Sequence, residues 1–164
     1  MTVGIVVGNP KPHSRTFAAA ELVARELTGH DPDFALDLAE LGAGLLDWSD
    51  ARVAESVEQI KGARLVIFAS PTFKATYSGL LKLFLDRFPA GSLAGVTAVA
   101  LQLGGDWRHS LAPEAFLKPV LAEIGASTPT RALYLLDSDA GDTSEALQSW
   151  LTVAREQLSL AVPR

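Results

Sequence analysis

Residues Ser70 to Asp86 read SPTFKATYSGLLKLFLD. Immediately before them, Ala63-Arg64-Leu65-Val66-Ile67-Phe68-Ala69 is a short apolar run rich in β-formers, the pattern of a buried central strand. Within the stretch, Leu80, Leu81, Leu83, Phe84 and Leu85 recur at helical spacing. Between strand and helix lies a loop with Pro71, small hydroxyl residues, Phe73 and Gly79. A strand that ends in such a loop and feeds a helix is where an open α/β sheet takes its ligands, beyond the carboxyl ends of its strands. The loop offers N–H groups, hydroxyls and flat apolar surface, which suits a planar heteroaromatic ligand with polar edges.

The same alternation runs in both directions. Toward the N-terminus, Val3-Gly4-Ile5-Val6-Val7-Gly8 reads as a buried parallel strand, broken at Gly8-Asn9-Pro10-Lys11-Pro12-His13. Ser14 is an N-cap for a helix over Arg15 to Thr28, and Gly29 stops it. Phe34 to Leu38 is a second strand, Ala39 to Ser49 a loop with a short helical turn, and Asp50 to Lys61 a helix closed by Gly62. After the helix that runs to about Phe88, Pro89-Ala90-Gly91 breaks the chain. Val96 to Leu103 is a fourth strand, ending in Gly104-Gly105. Pro113 opens a helix to Ile124, with Gly125 past its end. Arg131 to Asp137 is a fifth strand, Asp142 to Leu158 a last amphipathic helix with Trp150 on its apolar side, and Ser159 to Arg164 a frayed tail.

Strands alternating with helices predict an α/β three-layer sandwich, a five-stranded parallel sheet with helices on both faces. Right-handed crossovers leave few topologies, and the order 2-1-3-4-5 places the strand ends at Gly8 and Ser70 side by side at a switch point. A chain of 164 residues predicts one domain, 1–164, able to bury a core without staples.

Composition narrows the function classes. Net charge −5 argues against nonspecific nucleic-acid binding, which needs basic surface. The absence of cysteine excludes disulfides, thiolate chemistry and a zinc–sulfur site. His13 and His30 have no companions at metal-ligand spacing, so no metal is expected. Met1-Thr2 leads straight into a strand, and no apolar run has the length of a membrane span; the expectation is a soluble cytoplasmic protein.

Three strand-end loops carry the candidate chemistry. The first, GNPKPHSRT from Gly8 to Thr16, joins a strand to a helix N-terminus, where orphan N–H groups and the helix dipole favour a phosphate. Ser14 and Thr16 add hydroxyls; Lys11 and Arg15 add charge. It lacks the spacing of a Walker loop or of G-x-G-x-x-G. The plainer reading is a capped loop with two solvated cations. In the second loop, Phe73 or Tyr77 can pack on a ring and Thr72, Ser78 and main-chain amides can bond its polar edge; alternatively both aromatics fill the sheet top. Lys74 reads as a solvated cation or a ligand contact. In the third, Gly104 and Gly105 allow close backbone approach to a flat ligand, and Trp107, Arg108 and His109 follow. His109 is a weak candidate for a general acid, against the plainer reading of a structural His beside Ser110. Asp137-Ser138-Asp139 with Asp142 is an acidic cluster explained by solvation and helix capping.

These residues resemble a known family, the NAD(P)H-dependent FMN reductases of the flavodoxin-like fold, most closely the alkanesulfonate-type flavin reductases that supply a separate monooxygenase. GNPKPHSRT is similar to the family's G-S-x-R-x-x-S-x-T, and SPTFKATYSGLLKLFLD to its P-x-Y-x-x-S-x-x-G-x-L-K-x-x-L-D. The rim segment GGDWRHSLAPEAFLKPVLAEIGA resembles G-G-x-x-x-H-x-L…L-K-P-V-L…L-G-A. The resemblance implies FMN as cofactor and NADPH or NADH as co-substrate. It implies the FMN phosphate at Asn9, Lys11, Ser14, Arg15 and Thr16, and the ring against Pro71, Thr72, Phe73, Lys74 and Tyr77. Gly104 and Gly105 fall near the ring, with His109 on the nicotinamide side. Asn9, Lys11 and Phe73 stand where the family usually has Ser, often Arg and commonly Tyr. Ala115 and Phe116 lie where alkanesulfonate-type members can carry a Tyr in an interface helix, and Trp107 and Arg108 are bulkier than the family's residues there.

The function implied is hydride transfer from a nicotinamide nucleotide to FMN, with reduced flavin passed to a partner monooxygenase. No protein acid or nucleophile is needed, in keeping with a chain without cysteine or triad. The resemblance further implies a homodimer or homotetramer, for which the Leu80-Leu81-Leu83-Phe84-Leu85 face and Phe116-Leu117 are suited. The alternatives are a quinone or azo reductase holding FMN tightly, an FMN-binding electron carrier, and an interaction module without flavin. Arg15 and Arg108 are both candidates for a 2′-phosphate, so the nucleotide preference stays open.

Overall fold

The structure, a computed structural model, describes residues 1–141 and 143–161. Five strands, β1 (Val3–Val7), β2 (Phe34–Asp37), β3 (Leu65–Pro71), β4 (Thr97–Gly104) and β5 (Leu133–Leu136), form one parallel sheet in the order β2-β1-β3-β4-β5. This is the expected topology. Its cause is visible in the strands: β1, β3 and β4 are buried along their whole length, as parallel strands covered on both faces must be.

Alternate residues of each strand feed two cores. Val3, Ile5 and Val7 of β1, with Leu65, Ile67 and Ala69 of β3, face α1 (Arg15–Thr28) and α6 (Glu145–Ala161). Val6, Val66 and Phe68 face the other layer, made by α2 (Leu38–Leu41), α3 (Ala51–Lys61), α4 (Gly79–Leu85) and α5 (Lys118–Glu123). Ile67 and Phe68 are fully buried on opposite sides, and each such side chain contributes about 1.5–3 kcal/mol.

The caps fall where local chemistry puts them. Ser14 Oγ accepts from Phe17 N, and Gly29 closes α1 at φ +82° with its N–H on Arg25 O. Asp50 Oδ1 accepts from the N–H groups of Arg52 and Val53 at the start of α3.

Several expectations are corrected. Strand β3 continues through Ser70 to Pro71, because its residues pair with Gln102 and Leu103 of β4. Helix α4 ends at Leu85 rather than Phe88, since the chain tightens into turns in which Arg87 N bonds Phe84 O and Phe88 N bonds Leu85 O. The segment after Pro113 starts with a π-type turn over Pro113–Leu117 before α5. Ser159 belongs to α6 rather than to a frayed tail. The expected helix start at Asp142 and the tail from residue 162 on lie outside the described residues. Leu81, Phe84, Leu85 and Leu117 are buried in this chain's own core, so they are not free for an oligomer interface. Of that set, Leu83 (39% exposed) and Phe116 (51% exposed) remain on the surface, with Leu80 half-buried.

Candidate functional site

The first loop leaves β1 at Gly8, which lies against α4: a Cβ there would sit 2.5 Å from Leu81 Cβ. Only glycine lets the loop pass so close. Asn9 Oδ1 accepts from Lys11 N at 2.9 Å, and Asn9 Nδ2 donates to Thr16 Oγ1 at 3.0 Å. Asp37, buried at the end of β2, accepts from His13 N at 2.9 Å and also from Ala39 N at the start of α2. That bond holds His13 at φ +49°, where the chain turns into α1.

The electrostatics favour an anion. Ser14 and Thr16 are buried, and each hydroxyl oxygen already accepts a bond from within the loop or helix. Their O–H protons remain to donate. The first N–H groups of α1 have no helical acceptor, and the helix dipole adds to them. Lys11 and Arg15 are exposed beside this end; Arg15 reaches the Asp137 carbonyl at 3.5 Å.

The second loop is joined to the first through Ser78. Its hydroxyl donates to Gly8 O and accepts from Leu81 N at 3.1 Å, while Ser70 Oγ accepts from Ser78 N at 2.8 Å. Ser78 therefore ties the loops together and caps α4; contrary to the expectation that it could bond a ring edge, its hydroxyl is committed within the protein. Thr72 N is bonded to Leu103 O, and Phe73 N to Thr76 O. The tip between Phe73 and Thr76 is a tight turn with Lys74 at φ +49° and Ala75 at φ +68°. Phe73 projects at 49% exposure, whereas Tyr77 is half-buried against the core below α4, where burial pushes its phenol up.

The third loop begins at Gly104. The space above its Cα is taken by Tyr134, whose hydroxyl would lie 1.9 Å from an added Cβ; Gly105 faces open space. So it is Tyr134, from β5, that makes the close approach to Gly104. Trp107, Arg108 and His109 are all exposed. Arg108 is held by Asp106 through both Nε (3.0 Å) and Nη2 (2.6 Å), and this pairing pulls the Asp106 carboxyl down to about 2.

The first two loops frame one cleft of roughly 220 Å³. Asn9, Lys11, Ser14, Arg15 and Thr16 line it from the first loop, Pro71, Thr72 and Phe73 from the second, and Leu103 and Asp137 complete the lining. Eight of the twelve expected contacts meet there; Lys74, Tyr77, Gly104 and Gly105 do not line it. The volume is below the roughly 300–1,000 Å³ of sites that enclose a whole ligand, so part of a bound molecule must lie over the rim. A second hollow of about 300 Å³ between β5 and α6 is lined by none of the twelve expected contacts, though Trp107 of the third loop borders it. Among the described residues no group of three or more His, Asp or Glu is placed to hold a metal.

Asp37, Leu103 and Asp137 are contributors the sequence reading missed. Asp37 carried a signal, since Asp37-Leu-Ala-Glu40 has the spacing of a helix start. Asp137 stood out only as part of an acidic cluster explained by solvation and capping, and Leu103 only by its position at a strand end.

Known proteins share this arrangement of elements. A sequence profile of the NADPH-dependent FMN reductases matches residues 1–141. The chain is 32% identical over 146 residues to the FMN reductase (NADPH) of Escherichia coli (strain K12), covering 87% of this chain and 76% of that one. It is 29% identical over 154 residues to the NADH-dependent FMN reductase SfnF of Pseudomonas fluorescens (strain Pf0-1), covering 88% and 82%. Among solved structures, the apo form of the NADH:FMN oxidoreductase EMOB superposes with a TM-score of 0.85 at 29% identity, over 98% of this chain and 89% of that one.

Proposed function

The chain belongs to the NADPH-dependent FMN reductase family, and we propose that it reduces FMN, held across the cleft between the first two loops, at the expense of NADPH or NADH. The observation that carries the site assignment is the meeting in one cleft of two buried hydroxyls, two cations and the amino end of α1. That donor set matches a phosphate monoester; Asp137 is the one acidic residue among the described residues that line the cleft.

In this reading Ser14 and Thr16 donate their hydroxyl protons to the phosphate, and Lys11 and Arg15 balance its charge. Asn9 shapes the loop by bonding Lys11 N and Thr16 Oγ1 rather than by reaching the ligand first. Pro71 and Phe73 offer flat apolar surface at the rim for the ring. The N–H groups of Thr72 and Phe73 are spent inside the protein, so polar-edge recognition falls to Gly105 and Asp106, whose N–H groups have no protein acceptor among the described residues. Such donors favour the negative charge that develops on reduction. Bound FMN supplies the redox chemistry, accepting a hydride from the reduced nicotinamide. His109, exposed, takes no proton-transfer role in this scheme.

The open cleft supports a flavin that exchanges, as a reductase feeding a separate monooxygenase requires. A cytoplasmic location belongs to the same proposal; among the described residues no helix is long and apolar enough to cross a membrane. Self-association, as dimer or tetramer, is assigned to the face carrying Leu80, Leu83 and Phe116.

The test is oxidation of NADPH and of NADH, followed by loss of nicotinamide absorbance, with and without free FMN, on protein whose bound flavin has been quantified. Turnover that rises with free FMN is expected. Tight flavin with turnover only on adding a quinone or azo dye would replace this reading with a tight-flavin oxidoreductase. Bound flavin without turnover would make the protein a carrier.

A further inference from the structure

Gln102 stands near the carboxyl end of β4, paired across the sheet with Ser70 on one side and Tyr134 on the other. It shares a face of the strand with Ala98 and Ala100, which belong to the apolar core on the α4 and α5 side. Its side chain is fully buried. A buried amide costs stability unless both its N–H and its C=O find partners. Here Nε2 donates to Thr72 Oγ1 at 3.1 Å, while Oε1 has no hydrogen-bond partner among the described residues. A half-satisfied amide in the middle of a sheet does not serve folding, and such departures from local rules collect at functional sites.

The one bond that Gln102 makes leads to the cleft. Thr72 lines it beside Pro71 and Phe73 and is half-buried. Its main-chain N–H is spent on Leu103 O at 2.7 Å; its hydroxyl proton is not held by Gln102, which donates to the same oxygen. That proton can turn to Tyr134 Oη beside it, whose own proton goes to the Asp106 carbonyl at 2.8 Å, or to an acceptor in the cleft. Turning the amide end for end would reverse this. Oε1 would then take the Thr72 proton, and the hydroxyl would meet the cleft as an acceptor. The end of Gln102 that faces Thr72 thus decides whether Thr72 gives or takes a hydrogen bond.

We propose that Gln102 is a positioning residue for the flavin: it holds the Thr72 hydroxyl as a donor to the polar edge of the ring, alongside the N–H groups of Gly105 and Asp106. Along that edge of an oxidised flavin, carbonyl oxygens and unprotonated nitrogens outnumber N–H groups, so a donor is the useful partner. The inference rests on the flavin-reductase reading above.

Gln102→Met keeps the length of the side chain and removes the amide; Thr72→Val keeps the shape and removes the hydroxyl. Binding of FMN and of riboflavin is followed by quenching of flavin fluorescence, and the stability of flavin-free protein by urea denaturation. Thr72→Val is expected to weaken binding of both ligands about fivefold, and Gln102→Met about two- to fivefold, the effect of one net hydrogen bond. The double variant should bind no more weakly than Thr72→Val alone, because Gln102 acts through Thr72. The urea midpoint of Gln102→Met should equal or exceed that of the parent, since a buried group without a partner is removed. Unchanged flavin binding in Gln102→Met overturns the proposal, and so do losses that add in the double variant. A lowered urea midpoint, or failure of Gln102→Met to fold, makes Gln102 a residue of the fold instead. A loss for FMN with none for riboflavin moves the Thr72 contact from the ring to the phosphate and overturns the proposal as well. A parent protein that binds neither ligand would overturn the flavin-reductase reading itself, and this is seen before any variant is made.

Discussion

The Ser78 hydroxyl donates to the Gly8 carbonyl, linking two loops 70 residues apart in sequence, and the same oxygen caps helix α4 through Leu81 N. Ser78→Ala removes a helix cap and leaves a buried carbonyl without its donor. The expected loss is about 2–3 kcal/mol of folding stability, from the cap and the unpaired group together. Urea denaturation measures it. FMN affinity should fall with it, because the first loop loses its tie to the second; an unaltered affinity would show that Ser78 serves the fold alone.

The Lys74-Ala75 turn places two residues with Cβ atoms at positive φ, a conformation that asparagine and glycine take at far less cost. Ala75→Gly should therefore be neutral to stabilising, by up to about 1 kcal/mol, as relief of left-handed strain outweighs the added freedom of the unfolded chain. A thermal melt decides the sign. A clear destabilisation would mean that the Ala75 methyl makes contacts worth more than the strain.

Lys11→Ala and Arg15→Ala should each weaken FMN binding about tenfold, as loss of a charge-assisted contact does. Riboflavin, which lacks the phosphate, should bind both variants as it binds the parent. The difference should shrink with added salt, because both side chains are exposed. Equal losses for FMN and riboflavin would move the phosphate elsewhere.

The Asp106 carboxyl is lowered from 3.8 to about 2, chiefly by the side-chain hydrogen bonds from Arg108. A pKa below its unfolded value means that folding favours the ionised form. The pair's contribution is complete above about pH 3.8 and is lost as pH falls through about 2. The third loop should thus keep its shape across the working range of an enzyme and loosen only in strong acid. A carbon NMR titration of the Asp106 carboxyl in Arg108→Ala should show the midpoint returning toward 3.8. The stability change should be small, because the pair is solvent-exposed.

Much of this was legible in the residues because it is local. Ser14 and Gly29 bracket α1 through contacts made within one helical turn, so the bounds Arg15 and Thr28 follow from a few neighbouring residues. The phosphate loop was legible for the same reason: its hydroxyls, cations and helix end lie within nine consecutive residues, Gly8 to Thr16. The apolar face of α4 was misread as available for a partner. Periodicity marks Leu81, Phe84 and Leu85 as facing something apolar; it does not say that this is the chain's own sheet.

The sequence by itself determined the order of strands and main helices, the caps Ser14 and Gly29 of α1, the parallel sheet and the family, since each rests on patterns a few residues long or on motifs matched in place. The tertiary structure alone decided which polar groups remain free. Ser78 is committed to Gly8, Thr72 is bonded by Gln102, and Gly104 yields its space to Tyr134. These bonds join residues 28 to 70 positions apart. A hydrogen-bonding group spent on a distant partner looks the same in sequence as one left for a ligand, and only packing across the sheet separates the two.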